Sequence, residues 1–183
     1  ARHSNMQKAP TPKRILWTSL DLVKWTADYF KSHRIEHARS EAEILLARTL
    51  GVRRIDLYLN HDQPLDQAEL ARFKTLIKRR VTREPVAYIT RMREFWSLEL
   101  AVDPSVLIPR PETECLVENV LPFLDDKGNT PKKVLDLGTG SGAIVIAMAH
   151  EHPKHRYLAT DRSAAALQTA RKNAYRHGVE RCI

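Results

Sequence analysis

The first half of the chain carries apolar residues three and four positions apart, which is the period of an amphipathic helix. This pattern predicts a helix over residues 18–33, a second after a capping-box pair at Ser40 and Glu43, and a third after another pair at Asp66 and Glu69. Short connections between them predict a small helical bundle. We expect its core to contain the aromatic side chains in and beside the first helix: Trp17, Trp25, Tyr29 and Phe30.

The second half changes to alternating strands and helices. Leu98, Leu100 and Val102 recur with a period of two, which predicts strands within 94–108 that pair as a hairpin. A proline-rich segment, a helix over 113–124 and a polar loop over 125–131 come next. Strand, helix, strand and helix then follow in an order typical of a parallel sheet. The predicted fold class is α + α/β, with a small helical bundle, a β-hairpin linker and the first part of a parallel α/β domain.

The composition is that of a globular protein, with 43% hydrophobic and 28% charged residues among 183. Because no stretch approaches the ~18 apolar residues of a membrane-spanning helix, we expect no membrane association. Two cysteines, Cys115 and Cys182, are too few for a disulfide framework, which predicts a reducing, cytoplasmic location and a packed thiol at Cys115. The histidines at 150, 152 and 155 lack zinc-ligand spacing, so we predict no metal site.

The net charge of +8 is unevenly distributed. Residues 1–94 contain 19 Lys and Arg against 11 Asp and Glu, whereas residues 95–183 contain 11 of each. A basic module attracts acidic partners over long range, and both nucleic acid and an acidic protein fit this property. The run at Lys78, Arg79, Arg80 and Arg83 lacks interleaved aromatic residues, which favours a solvated helix face over an RNA-binding patch.

A glycine-rich segment contains the most informative chemistry. It follows a predicted strand, precedes a predicted helix and contains Asp136, Gly138, Thr139, Gly140, Ser141 and Gly142. Glycines at such a turn let the backbone approach a ligand closely, and Asp161 ends the next strand 19 residues after Gly142. This arrangement predicts a nucleoside-containing ligand. The glycine spacing also fits a dinucleotide, but a carboxylate at Asp136 would repel a pyrophosphate and favour a cationic cofactor such as S-adenosylmethionine.

Three motifs in this order resemble the peptide-chain release factor glutamine methyltransferases. They are Glu94-Phe95-Trp96, the segment from Ile108 to Glu114 that contains Pro109, Arg110, Pro111 and Glu112, and the segment from Asp136 to Gly142. The resemblance implies a basic helical substrate-recognition domain over 14–88, a linker with the hairpin and the proline-rich segment over 89–112, and the N-terminal portion of a Rossmann-like class I methyltransferase domain over 113–183.

The resemblance also implies an activity and a site. The activity is methylation, from S-adenosylmethionine, of the side-chain amide nitrogen of the glutamine in the GGQ motif of class I release factors. The cofactor would be bound by Asp136, Gly138 to Gly142 and Asp161, and the substrate would be lined by Pro109, Arg110, Pro111 and Glu112. RNA is a less favoured partner.

The sequence departs from that family at one point. The Asn-Pro-Pro-Tyr motif that orients the acceptor amide is absent from these residues, so the catalytic residues stay unassigned. We therefore expect the chain to be incomplete and inactive on its own. Two alternatives remain, a non-catalytic module whose basic bundle grips an acidic protein or RNA, and a nicotinamide-dependent oxidoreductase.

Overall fold

The computed structural model describes residues 16–125 and 130–183, which form two compact units that divide between Thr82 and Arg83. The start of the predicted 14–88 domain and most of the polar loop predicted over 125–131 lie outside those residues. In the described part of the chain, no helix is both long and apolar enough to cross a lipid bilayer.

The described residues of the first unit form four helices. These are α1 (Ser19–Ser32), α2 (Ala38–Leu50), the short α3 (Asp56–Leu59) and α4 (Gln67–Val81). α2 packs against both α1 and α4, and the fully buried side chains include Phe30, Leu45 and Phe73. α4 begins with the predicted capping box, in which Asp66 accepts from the Glu69 amide at 2.7 Å and Glu69 accepts from the Asp66 amide at 2.8 Å.

The predicted capping box at Ser40 and Glu43 is wrong. α2 begins three residues earlier than this pair predicts, because its N-cap is His37, which has a left-handed backbone with φ 53°, and its first helical residue is Ala38. Glu43 lies inside the helix, nearly buried, where its carboxylate accepts hydrogen bonds from Arg54 at 2.6 Å and from the Tyr58 hydroxyl. These donors offset the free-energy cost of burying the carboxylate, and they link α2 to α3 and to the turn before α3.

The aromatic side chains of α1 divide between core and surface. Phe30 is fully buried, as predicted, but Trp25 is 48% exposed and Tyr29 is exposed as well. The Trp25 and Tyr29 rings stack with their centroids 5.2 Å apart, and the half-exposed Trp17 meets Trp25 edge-on. The expectation of core positions for Trp25 and Tyr29 is wrong, because these rings cover one another while Leu22 and Phe30 supply the buried stripe.

The second unit opens with α5 (Val86–Thr90) and a hairpin of β1 (Met92–Phe95) and β2 (Leu98–Ala101). The strands pair antiparallel with Phe95 opposite Leu98, and they occupy less of 94–108 than predicted because residues 102–110 form a loop. Trp96 and Ser97 make the two-residue turn with φ values of 53° and 57°. Positive φ at both positions matches the twist of the paired strands.

A parallel α/β unit completes the second unit. After a single 3₁₀ turn come α6 (Glu114–Leu124), β3 (Lys133–Leu137), α7 (Ala143–Glu151), β4 (Arg156–Thr160) and α8 (Ala164–Arg176). β3 and β4 pair in parallel with Leu137 opposite Thr160. Their shared core contains Val117, Val145 and Ile146 together with Phe95 of the hairpin. The predicted fold class, a helical bundle followed by a hairpin and a parallel α/β domain, is confirmed.

Candidate functional site

The glycine-rich loop lies between the C-terminal end of β3 and the start of α7. The amides of Gly138 and Thr139 both donate to the Thr160 carbonyl, at 2.8 and 2.9 Å, so the end of β4 fixes the loop. Gly142 donates to the Thr139 carbonyl at 2.8 Å and closes a tight turn before the helix. The loop is therefore shaped by backbone hydrogen bonds to its own residues and to the neighbouring strand.

The glycines of this loop differ in what surrounds them. Gly138 and Gly140 have φ of +78° and +54°, and a Cβ placed on either would meet no atom within 4 Å. At Gly142, with φ +82°, a Cβ would lie 2.7 Å from Ile146 Cδ1 and 3.2 Å from Ala170 Cβ. Gly142 is thus required by packing between α7 and α8. Gly138 and Gly140 leave open space beside the backbone, which fits a ligand that lies against the loop.

Two carboxylates border the loop. The Thr139 hydroxyl donates to Asp136 at 2.7 Å, and the Gly140 amide donates to Asp161 at 2.9 Å. Asp161 also accepts from the Ser163 amide at 2.9 Å. These hydrogen bonds, first from Ser163 and then from Gly140, hold the pKa of the Asp161 carboxyl below its usual value of 3.8, so it is anionic at neutral pH.

Asp161 keeps acceptor capacity for a ligand. A carboxylate offers about four lone-pair sites, and each of its two oxygens accepts one backbone hydrogen bond here. The free lone pairs suit two neighbouring hydroxyl groups, such as those of a ribose. With the open space at Gly138 and Gly140, the residues fit a nucleoside that carries a positive rather than a negative charge near Asp136.

The structure brings together most of the residues predicted to bind a cofactor. One hydrogen bond joins Thr139 to Asp136, and another joins Gly140 to Asp161. Ser141 is buried, and its backbone carbonyl accepts a hydrogen bond from the side chain of Asn173 in α8. The roles of these residues in cofactor binding stay predictions.

The predicted substrate-lining segment is held by the hairpin. Pro109 is buried and its carbonyl accepts from Arg93 of β1 at 3.2 Å, whereas Arg110, Pro111 and Glu112 are exposed. Just after them, Glu114 accepts from the backbone amide of Trp96 at 2.9 Å in the hairpin turn. The segment is therefore fixed at one end by β1 and at the other by the hairpin turn. The lining role of these residues stays a prediction.

Sequence reasoning missed Asn173. This side chain lies in α8 with none of its surface exposed, and it bonds to Ala101 of β2 and to Ser141 of the glycine loop. A signal was present, because Asn173 falls in phase with the small residues Ala166 and Ala170 on the buried face of the predicted helix. A polar residue in such a stripe indicates a buried, satisfied hydrogen-bonding group.

The histidines and cysteines have other roles. His155 is buried, where Nδ1 accepts from the Lys132 amide at 3.1 Å and Nε2 therefore donates to the Leu124 carbonyl at 2.9 Å. Within residues 16–125 and 130–183, no three His, Cys, Asp or Glu side chains converge as metal ligands would. Cys115 is exposed, so the expectation of a packed thiol is wrong; it lies on the outer face of α6 while Val117 faces the core.

Two family models match the chain; the first lies mostly in the first unit and extends through α5, and the second lies in the second unit. The PrmC N-terminal domain matches residues 21–90, and a methyltransferase domain matches residues 129–183. The second match covers β3, the glycine loop, α7, β4 and α8. The fold and the loop thus define the end of this chain as part of a methyltransferase domain.

Curated relatives narrow the class to a family. The release factor glutamine methyltransferase of Geobacter sulfurreducens is 41% identical over 168 residues, which is 92% of this chain and 58% of that protein. The corresponding protein of Chlorobaculum tepidum is 40% identical over 176 residues, 94% of this chain and 60% of the relative. That of Burkholderia pseudomallei is 52% identical over 134 residues, 73% of this chain and 46% of the relative.

The chain is similar to the release factor glutamine methyltransferases over most of its own length, which confirms the resemblance of its three motifs. It spans about half to three-fifths of the length of these relatives.

Proposed function

We propose that the protein containing this chain methylates the side-chain amide nitrogen of the glutamine in the GGQ motif of class I peptide chain release factors, and so modulates translation termination. The donor is S-adenosylmethionine. The observation that carries the proposal is the open backbone at Gly138 and Gly140 beside the Asp136 and Asp161 carboxylates. The names of the relatives support the choice of substrate.

The glycine loop and its carboxylates bind and orient the cofactor in this proposal. S-adenosylmethionine, when bound, supplies an electrophilic methyl group on a sulfonium centre. The Asp161 carboxylate accepts hydrogen bonds from the ribose hydroxyls, because its low pKa keeps it ionised and it has free lone pairs. The Asp136 carboxylate lies at the end of β3, where its negative charge favours the cationic end of the cofactor. Gly138 and Gly140 let the cofactor lie against the backbone.

Positioning is the main requirement of the reaction on the acceptor side. An amide nitrogen is a poor nucleophile because its lone pair is delocalised, so it has to be held in line with the methyl group. Such positioning contributes about 7–11 kcal/mol in favourable cases. We assign the wall of the acceptor pocket to Pro109, Arg110, Pro111 and Glu112, whose backbone is fixed by Arg93 and by Glu114.

The helical unit is the docking module in this proposal. We assign substrate recognition to residues 14–88, the linker to 89–112 and the methyltransferase portion to 113–183. The excess positive charge of the chain lies in residues 1–94, which supports long-range attraction to an acidic surface of a release factor. Release factors act on ribosomes, so we place the protein in the cytoplasm.

Two measurements test the proposal in the full-length protein. Isothermal titration with S-adenosylhomocysteine measures cofactor affinity, and mass spectrometry of a purified release factor detects the added methyl group on its GGQ glutamine. Asp161→Ala should weaken S-adenosylhomocysteine binding by about tenfold or more, because charged hydrogen bonds contribute about 1.5–3 kcal/mol.

Asp56→Ala is the matched control. Asp56 is also a carboxylate that accepts from a backbone amide, that of Arg53 at 3.0 Å, and it lies in the helical unit. Its replacement should leave S-adenosylhomocysteine affinity unchanged. An unmodified release factor after incubation with S-adenosylmethionine, or equal affinities in wild type and a folded Asp161→Ala variant, would contradict the proposal.

A further inference from the structure

Asn173 is a fully buried amide at the point where three parts of the second unit meet. It lies on α8, on the same face as Ala166 and Ala170, and none of its surface is exposed. Its neighbours are the end of β2, at Ala101, and the glycine loop, at Ser141. A buried amide needs partners for each of its polar atoms, and these two backbone segments supply them.

The hydrogen bonds of Asn173 use both of its N–H groups. Oδ1 accepts from the Ala101 amide at 2.7 Å, and Nδ2 donates to the Ala101 carbonyl and to the Ser141 carbonyl, each at 2.9 Å. With Ala101 the side chain makes the paired N–H and C=O contacts that a neighbouring strand would make. With Ser141 it makes a contact to the loop itself. One side chain therefore fixes the distance between the hairpin and the glycine loop.

The hairpin continues this connection toward the predicted substrate-lining segment. Arg93, on the strand paired with β2, donates to the Pro109 carbonyl at 3.2 Å. A displacement of Ser141 is thus opposed through Asn173 and β2 by the strand that holds Pro109.

We propose that Asn173 is a positioning residue that couples the glycine loop to the hairpin, so that cofactor binding at the loop orders the segment that lines the acceptor. The inference rests on the proposed function, since it takes the loop as the cofactor site. Asn173 touches neither ligand in this scheme. It acts through the Ser141 carbonyl on one side and through Ala101 on the other.

Asn173→Asp tests the inference with almost no change in shape. The new carboxylate keeps an acceptor for the Ala101 amide but places an oxygen, instead of an N–H group, against two carbonyls. At neutral pH we expect S-adenosylhomocysteine affinity to fall about tenfold or more, since two buried acceptors lose their donor. As pH falls the carboxyl takes up a proton and donates one hydrogen bond again, so affinity should recover in part.

Thr169→Val is the matched control, because it removes a side-chain hydrogen bond one turn earlier on the same helix, and that bond goes to Asp103 rather than to the glycine loop. Its S-adenosylhomocysteine affinity should stay near that of wild type, with no recovery at lower pH. The titratable groups of the surrounding elements are the same in all three proteins. They include, on α8 and the elements beside it, Arg93, Glu94, Glu99, Asp103, Asp136, His150, Glu151, Asp161, Arg171, Lys172, Tyr175, Arg176 and His177. A recovery of S-adenosylhomocysteine affinity at lower pH that is seen only in Asn173→Asp is therefore caused by protonation of the new carboxyl group.

Hydrogen exchange in the wild type tests the coupling without any substitution. Adding S-adenosylhomocysteine should slow exchange of the Ala101 amide several-fold, because that amide is bonded to Asn173, and should leave the amides of α2 in the first unit unchanged. An Ala101 amide whose exchange rate is unchanged by the ligand would overturn the inference, and so would a folded Asn173→Asp variant with wild-type affinity. Either result would leave the proposed function standing. A wild type that binds no S-adenosylhomocysteine would remove the proposed function and the inference together.

Discussion

Gly142, at the start of α7, is the position in the glycine loop where a single methyl group should cost the most stability. Alanine there would keep φ at +82° and place its Cβ 2.7 Å from Ile146 Cδ1 and 3.2 Å from Ala170 Cβ. Ile146 is fully buried and Ala170 nearly so, which leaves neither free to move away. Left-handed backbone costs about 1–2 kcal/mol, and an extra methyl group in a packed core costs about 1–3 kcal/mol. Gly142→Ala should therefore lower the free energy of unfolding by about 2–5 kcal/mol.

Gly140→Ala is the matched comparison, because it carries the same backbone strain without the packing conflict. With φ +54° and no atom within 4 Å of the added Cβ, it should lose only about 1–2 kcal/mol. Its methyl group would occupy the space assigned to the cofactor, so S-adenosylhomocysteine affinity should fall more than stability does. Urea unfolding and isothermal titration of both variants separate the two effects. Equal losses of stability would refute the packing argument, and unchanged affinity in Gly140→Ala would refute the assignment of that space.

Three further outcomes follow from ionised and hydrogen-bonded groups. Because the pKa of Asp161 is lowered, its stabilising contribution is present above the usual pKa of 3.8 and is lost as pH falls through the folded-state value. Thermal melts at several pH values should thus show a smaller acid-induced loss in Asp161→Asn than in wild type, and parallel profiles would contradict this. Arg80→Ala should destabilise the helical unit by about 3 kcal/mol, because the Arg80 side chain is only 13% exposed and that of its partner Glu41 only 18%. Lys31→Ala, which removes an exposed ion pair with Asp28, should cost under about 1 kcal/mol. Equal costs would contradict the burial argument. Burial raises the pKa of Tyr157 to about 12, so ultraviolet titration should show a late-ionising tyrosine signal that Tyr157→Phe removes.

The parts of the fold that could be predicted depend on local signals. The capping box at Asp66 and Glu69 lies within four residues, and its two hydrogen bonds form as predicted. The loop from Gly138 to Gly142 is also local, because glycine between a strand and a helix signals a positive φ. The spacing of Asp161 in the chain places it at the end of the next strand, and in the structure its carboxylate accepts from the Gly140 amide.

The parts that could not be predicted depend on neighbours distant in sequence. Trp25 has the spacing of a core residue, but its ring is stabilised on the surface by stacking on Tyr29. Ser40 and Glu43 have the pattern of a capping box, but the Glu43 carboxylate instead accepts hydrogen bonds from Arg54 and Tyr58. The partners of Asn173 lie 72 and 32 residues away, and no periodicity in the sequence specifies which backbone groups a buried amide will meet.

The long span between Ala101 and Asn173 has a consequence for the order in which the protein folds. The helical unit pairs α1 with α2 and α2 with α4 through short connections, so its core can form early from nearby segments. The hairpin is synthesised 72 residues before the side chain that completes its outer edge. Until α8 leaves the ribosome, we expect water to supply the hydrogen bonds of the Ala101 amide and carbonyl. We therefore predict that the second unit closes late, in a step that brings the hairpin and the glycine loop together.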